Sequence, residues 1–514
     1  MLTRRVRRGS WMTGPLERAT TLQPGTAAPP RALLFAAAAL FAVALAGAGV
    51  ASSRGALLGL GGLAGLVGLG AIARFAPQRA CDSLLLLLVG LTPIPVDAFL
   101  GFQEHTGGWP GLRISVSDVS LYLLAVVAGI GALLGRLENA IPRRVLVWMA
   151  LLLVQYFVSG LLAPDRRLAF FEFASAAHAF LIALIVAPLF RRDLVGWVFA
   201  LVALQMILHG SLAVAQSATG RPIGAGWLGG SAEILQEVLR TGATRLRPSG
   251  LFVHPILYAN SLVITLPLMI AGLTIGRGLA VRTLCAIALP IGIVGLVLTL
   301  SRGAWISNLV AISVLGVLVL RCRLVSARQI RAIAVVSLVI GVLLGAFFGP
   351  RVYERLTRSE AGNLQVRFDL NRIALRMAAE NPLFGTGLNN FVETMAPYDP
   401  KNVEAYFPAP VHNLYLLEAA EAGVPALLLW LGLFASILLM GLHHLPRMHD
   451  ATLQWLVAGL VAGLVGILVT QLADFSHRLE PLRSMVWLNV GLLFGALHAN
   501  RARRLVARQE ERAR

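Results

Sequence analysis

Residues 279–320 read LAVRTLCAIALPIGIVGLVLTLSRGAWISNLVAISVLGVLVL. Two apolar runs, 279–300 and 303–320, meet at Leu298-Thr299-Leu300-Ser301-Arg302-Gly303-Ala304-Trp305, which leaves almost no loop. Each run approaches the roughly 20 residues that a helix needs to cross bilayer hydrocarbon. The stretch is therefore a membrane hairpin, and Arg302 lies at or just inside the bilayer boundary. An arginine so placed has two readings. It snorkels to headgroups, or the short turn holds it for a phosphate, whose oxygens its planar fork matches while it stays charged.

Working outward, the same length rule finds apolar runs at 32–51, 56–72, 83–100, 116–135, 145–163, 169–190, 194–217, 251–275, 330–348, 424–442, 453–473 and 482–499. With the hairpin they predict about fourteen spans. Pro93 and Pro95 interrupt the 83–100 run, so it reads as either broken or re-entrant. Of the 514 residues, 57% are hydrophobic and 13% charged, a balance that excludes an ordinary soluble domain. The fold class is an all-α polytopic membrane protein.

The net charge is +19, and Lys401 is the only lysine beside 43 arginines. With the N-terminus inside, 26 of those arginines fall on cytoplasmic segments. That is the sign the positive-inside rule requires, and it predicts both termini in the cytoplasm. The expected organisation is a basic tail at 1–31, a transmembrane bundle at 32–348 with a short outer segment at 218–250, a large outer loop at 349–411, closing spans at 412–499, and a second basic tail at 500–514. The positive charge is scattered over short loops, so no nucleic-acid surface is expected. Cys81, Cys285 and Cys322 are far apart and suggest neither a disulfide framework nor a metal site.

The 349–411 segment carries seven positive charges (Arg351, Arg355, Arg358, Arg367, Arg372, Arg376 and Lys401) against seven acids, so it is no general anion funnel. Anion binding would have to come from particular arginines. Residues 365–380 predict a helix, which Asn381-Pro382 stops. Gly385-Thr386-Gly387 then makes a tight loop. Upstream, Arg247-Pro248-Ser249-Gly250 leads into a helix holding His254 and Asn260 at bilayer depth, where polar groups face protein or a cavity rather than lipid. Interhelical hydrogen bonding is one reading of both, and a role in a site is the other. Where the long outer loop meets a long apolar helix stand His412 and Asn413. A histidine there is either an interfacial residue satisfied by backbone or a base that takes a proton from a hydroxyl. Asn413 can orient that ring or a sugar hydroxyl. The sequence holds no outer Asp-x-Asp pair, no Walker loop and no Gly-x-Ser-x-Gly, so it suggests arginines for an anion, one histidine as base, and neither metal nor cofactor.

Four stretches in order resemble the O-antigen ligase and polymerase superfamily of bacterial membranes. They are Arg247…Gly250…Phe252…Pro255…Asn260, then Ser301-Arg302-Gly303, then Arg367 with Asn381-Pro382-Leu383-Phe384-Gly385-Thr386-Gly387 and Phe391, and last His412-Asn413 with Gly423 after nine residues. Ala426 departs mildly from the small residue or tyrosine usual three after that glycine. The resemblance implies a donor glycan on undecaprenyl diphosphate and an acceptor hydroxyl, on lipid A–core for a ligase or on another repeat unit for a polymerase. It implies a site on the periplasmic face of the inner membrane, among membrane lipids. It also implies that Arg302, Arg367 and, less directly, Arg247 grip the diphosphate, that His412 is the base, and that Asn413, Gly423, Gly385, Gly387 and Asn260 support the site. A lipid-linked glycan flippase is the rival of another class. His178, His209 and His254 keep it open, although a transporter should hold its key ionisable groups near the midplane.

Overall fold

The computed structural model describes residues 77–326 and 361–513, apart from 104, 106, 107, 109, 136, 225–235, 239–243 and 275–277, together with 328, 346, 349 and 353. The expected spans at 32–51 and 56–72, nearly all of 330–348, the tail at 1–31, and Arg240, Arg351, Arg355 and Arg358 lie outside the described residues.

Thirteen α-helices run through the described residues. They are α1 (Pro77–Leu91), α2 (Val116–Leu133), α3 (Arg143–Leu162), α4 (Arg166–Leu189), α5 (Val195–Thr219), α6 (Pro255–Gly272), α7 (Leu279–Leu298), α8 (Arg302–Arg321), α9 (Ala361–Glu380), α10 (Phe391–Thr394), α11 (Leu414–His444), α12 (Ala451–Thr470) and α13 (Leu482–Ala513). Ten of these are long and apolar enough to cross a membrane, and they coincide with ten of the fourteen apolar runs. The chain is a multi-pass membrane protein. Without water to bond, an apolar segment must satisfy its own backbone, and the helix does so residue by residue.

The 83–100 run, expected to be broken or re-entrant, is broken. Helix α1 stops at Leu91, and the chain returns as strand β1 (Asp97–Leu100), paired antiparallel with β2 (Leu112–Ser115). Pro93 and Pro95 lack the N–H groups that a continuing helix needs. The residues of the expected basic tail at 500–514 continue α13 as helix to Ala513. The helix expected at 365–380 is present as α9.

The bundle has a centre and a rim. Of its most apolar window, α6 buries 89% and α3 only 28%, so α6 is a core helix while α3 keeps most of its surface for lipid. Around α6 pack α7 and α12, with α8 on α12 and α13 against α4. Small residues permit the close approach between α6 and α12. A Cβ at Gly463 would lie 2.9 Å from the Ile264 carbonyl oxygen. Such small-residue contacts replace the hydrophobic drive that lipid removes. One end of the bundle then collects the start of α6, the α7–α8 turn, α9, the start of α11 and the turn between α12 and α13.

Candidate active site

His412 precedes α11 at that end. Its neighbour Asn413 caps the helix, accepting from the Tyr415 and Leu416 amides at 3.0 and 3.1 Å. The Asn413 amide donates to the Leu472 carbonyl at 3.1 Å, and the Leu414 amide reaches the Gln471 carbonyl at 3.0 Å. So Asn413 spends its polar groups on holding the backbone against the α12–α13 turn, and it orients His412 through the chain rather than by side-chain contact. The His412 ring lies 5.5 Å from the Phe475 ring, edge to face, and 5.9 Å from Phe407. Its Nδ1 is buried with no hydrogen-bond partner among the described residues. Burial, reinforced by the Arg367 guanidinium, pushes its pKa down to about 4 against the opposing backbone at Pro410. The ring is therefore neutral at pH 7 and able to accept a proton.

Arg367 extends from α9 to the same turn, where it donates to the Ala473 carbonyl at 3.2 Å. The next residue, Asp474, is buried and accepts from Asn260 of α6 at 2.9 Å. Burial raises the Asp474 carboxyl, while its hydrogen bonds and Arg367 pull it down. Asn260 also donates to Ser476 at 2.7 Å, which ties α6 to the α12–α13 turn.

His254 stands at the start of α6. Its Nδ1 accepts from the Ile256 amide at 3.1 Å, so the neutral ring carries its proton on Nε2. Burial, Arg247 and His412 together lower its pKa to about 4. Arg247 in turn donates from Nε to the Thr299 carbonyl at 3.0 Å, three residues before Arg302. Arg302 itself is half-buried at the head of α8. All four sequence motifs thus lie at one end of the bundle: the Arg367 charge bears on His412, Arg247 and His412 bear on His254, and Arg247 holds the turn that carries Arg302.

The supporting glycines have a separate job. Helix α11 is interrupted at Gly423 (φ 87°, ψ 165°), and the loop after α9 fills the break. There the Val424 amide donates to Pro382 at 2.8 Å, Thr386 to Ala420 at 2.9 Å and Gly387 to Glu421 at 3.0 Å. A Cβ on Gly423 would sit 2.4 Å from the Leu383 carbonyl oxygen, and one on Gly385 would sit 2.2 Å from the Glu421 backbone. Gly387 likewise abuts Ala163. These glycines lock α9, and with it Arg367, onto α11.

Beneath the lock is a buried ionic cluster that sequence reasoning did not single out. Arg478 bonds Glu418 at 3.0 Å and also pairs with Glu421. Arg483 bonds Glu172 of α4 at 2.6 Å. Tyr156 donates to Glu418 at 2.8 Å, and Glu421 accepts from the Asn389 and Phe391 amides. The signal was in the sequence: Asp474-Phe475-Ser476-His477-Arg478-Leu479-Glu480 is a dense polar turn between two apolar runs. Such groups persist at membrane depth only when paired.

Residues 287–431 match the family described as O-antigen ligase. The match includes Arg302, Arg367, Gly385, Gly387, His412 and Gly423, and it ends before Asp474 and Arg478. No curated protein matches the chain.

Proposed function

We propose that this member of the O-antigen ligase superfamily moves a glycan from undecaprenyl diphosphate to a sugar hydroxyl, on the periplasmic face of the bacterial inner membrane. The family supports a membrane glycan transferase of the ligase/polymerase type. The acceptor of choice is lipid A–core, as for a ligase; a second lipid-linked repeat would make it a polymerase.

The observation that carries this reading is the pairing of a neutral, half-buried His412 with Arg367 beside it. The acceptor oxygen attacks the anomeric carbon while the carbon–oxygen bond to the diphosphate breaks. The bonding pair leaves on the diphosphate oxygen, and the hydroxyl proton passes to His412. One displacement inverts the anomeric centre. Arg367 and Arg302 stabilise the charge that develops on the leaving diphosphate, the term that preorganised cations supply best. Arg247 acts as a positioning residue, because its Nε is bonded to Thr299 in the turn that presents Arg302.

The low pKa of His412 fits this order of events. Without donor, the Arg367 cation and burial keep the ring neutral. A bound diphosphate neutralises that cation, so the ring becomes more basic once the donor is in place.

The test is a defined transfer reaction with one lipid-linked donor and either lipid A–core or a second lipid-linked repeat as acceptor. His412→Ala should lose about 10²–10⁴-fold in rate, the contribution typical of general base catalysis, while the protein still accumulates in the membrane. Full activity in that variant removes His412 from the chemistry. Product identity separates ligase from polymerase, and absence of product with both acceptors favours the flippase.

A further inference from the structure

The loop between α9 and α10 is outside every span, yet its contacts lie well inside the membrane zone. Gln155 of α3 donates to the Leu383 carbonyl at 2.7 Å and to the Ala422 carbonyl at 2.9 Å. Helix α3 runs from Arg143 to Leu162, with charged residues at Arg143 and Arg144 before it turns apolar and Asp165 and Arg166 just after it. Those charges mark where the helix leaves the hydrocarbon. Gln155 is seven residues short of Leu162, which at 1.5 Å per residue is about 10 Å below the end of the span. The backbone of Leu383 is therefore at acyl-chain depth.

The side chains agree with that depth. Leu383 is 62% exposed and Phe384 39% exposed, and both lie between exposed apolar positions of spanning helices. On one side are Val154 and Phe157 of α3, and on the other is Val424 of α11, whose amide is bonded to Pro382. The apolar surface is continuous from α3 across the loop to α11.

The geometry points to the Pro382–Phe384 turn as a membrane-inserted anchor, with Leu383 and Phe384 among the acyl chains of the bilayer leaflet at the site end of the bundle. The occupant of this surface is membrane lipid. The surface continues the lipid-facing sides of α3 and α11, and backbone hydrogen bonds hold the turn at their depth. Because α9 leads directly from Arg367 to this turn, the anchor sets the height of Arg367. Thirteen residues of helix from Arg367 to Glu380 place the guanidinium about 20 Å along the helix from the anchor end. The arginine is thereby indexed to the membrane itself, which suits a group that meets an anion on a lipid. The placement does not depend on which glycan is transferred.

The experiment is nitroxide depth measurement in bilayers. Cys81→Ser, Cys285→Ala and Cys322→Ser remove the native thiols, and single cysteines replace Phe384 or, in a second variant, Leu383. Val154→Cys supplies a lipid-facing reference and exposed Lys401→Cys a solvent reference. Collisional broadening by oxygen and by a water-soluble nickel chelate is read at each site. At 384 and 383, nickel accessibility should drop to the Val154 level while oxygen accessibility rises to match it. Nickel accessibility equal to that at Lys401, at both positions, overturns the anchor.

Discussion

Replacing Gly423 with alanine tests the coupling between the break in α11 and the proposed site. The native backbone there, φ 87° with ψ 165°, is a region that only glycine occupies freely. An L-residue held in it costs about 1–3 kcal/mol. The added methyl would also meet the Leu383 carbonyl oxygen at 2.4 Å and the Phe384 nitrogen at 2.8 Å. Both are backbone atoms, so relief requires the loop to back away from the helix. That movement breaks the Val424–Pro382 and Gln155–Leu383 hydrogen bonds, at about 1 kcal/mol each. The expected loss is roughly 3–5 kcal/mol. It should appear as a lowered melting midpoint of the purified protein in lipid nanodiscs, with transfer activity falling further as Arg367 is displaced. Gly316→Ala is the matched control: nothing lies within 4 Å of its Cβ position and it sits in the interior of α8, so alanine should be neutral or stabilise by about 0.5–1 kcal/mol. A wild-type midpoint and rate for Gly423→Ala would refute the reasoning, as would equal damage from the two alanines.

Arg367→Gln removes the cation that holds His412 down, so the folded His412 pKa should rise from about 4 toward its ordinary value. The acid limb of kcat/KM should then move to higher pH, in addition to any loss of donor affinity, and a limb that stays put would separate the two residues. Asn413→Ala deletes a cap that accepts two amides and should cost about 1 kcal/mol, whereas Asn413→Asp should retain most of the cap; comparing their melting midpoints checks this. Arg478→Met leaves Glu418 and Glu421 buried without their cation, a change of about 3–5 kcal/mol that should abolish accumulation of folded protein on fluorescence-detected gel filtration. Transfer activity should survive EDTA treatment; reproducible loss restored by added Mg²⁺ would count against a mechanism built on arginines and His412.

Ten helices were legible because an apolar run of sufficient length has one stable backbone in lipid. The break in the 83–100 run was legible too, since Pro93 and Pro95 turn it into a helix and a hairpin strand. The motif residues were legible as a set, but their division of labour was not. Asn413 and His412 are adjacent in sequence, yet one is consumed by helix capping and the other is left free to titrate. Gly385 and Gly423, expected as supporting residues, are contacts between two backbones some 40 positions apart in the chain, and Gly387 abuts Ala163. The spacing of nine between Asn413 and Gly423 is the length of helix from its cap to the break that receives the loop. Asp474 and Arg478 escaped notice because their partners, Asn260, Glu418 and Glu421, are brought to them only by packing.

The ionic cluster of Glu172, Glu418, Glu421, Arg478 and Arg483 also bears on biogenesis. Its three carboxylates are made first, on α4 and α11, and both cations arrive later, with the α12–α13 hairpin. Until that hairpin emerges, the growing protein must keep these acids hydrated or protonated, because an unpaired carboxylate is costly in hydrocarbon. The α12–α13 hairpin therefore closes the cluster as a keystone does. A chain truncated before Arg478 would display three uncompensated acids within the membrane, a chemical mark by which quality-control proteases could tell it from the finished protein.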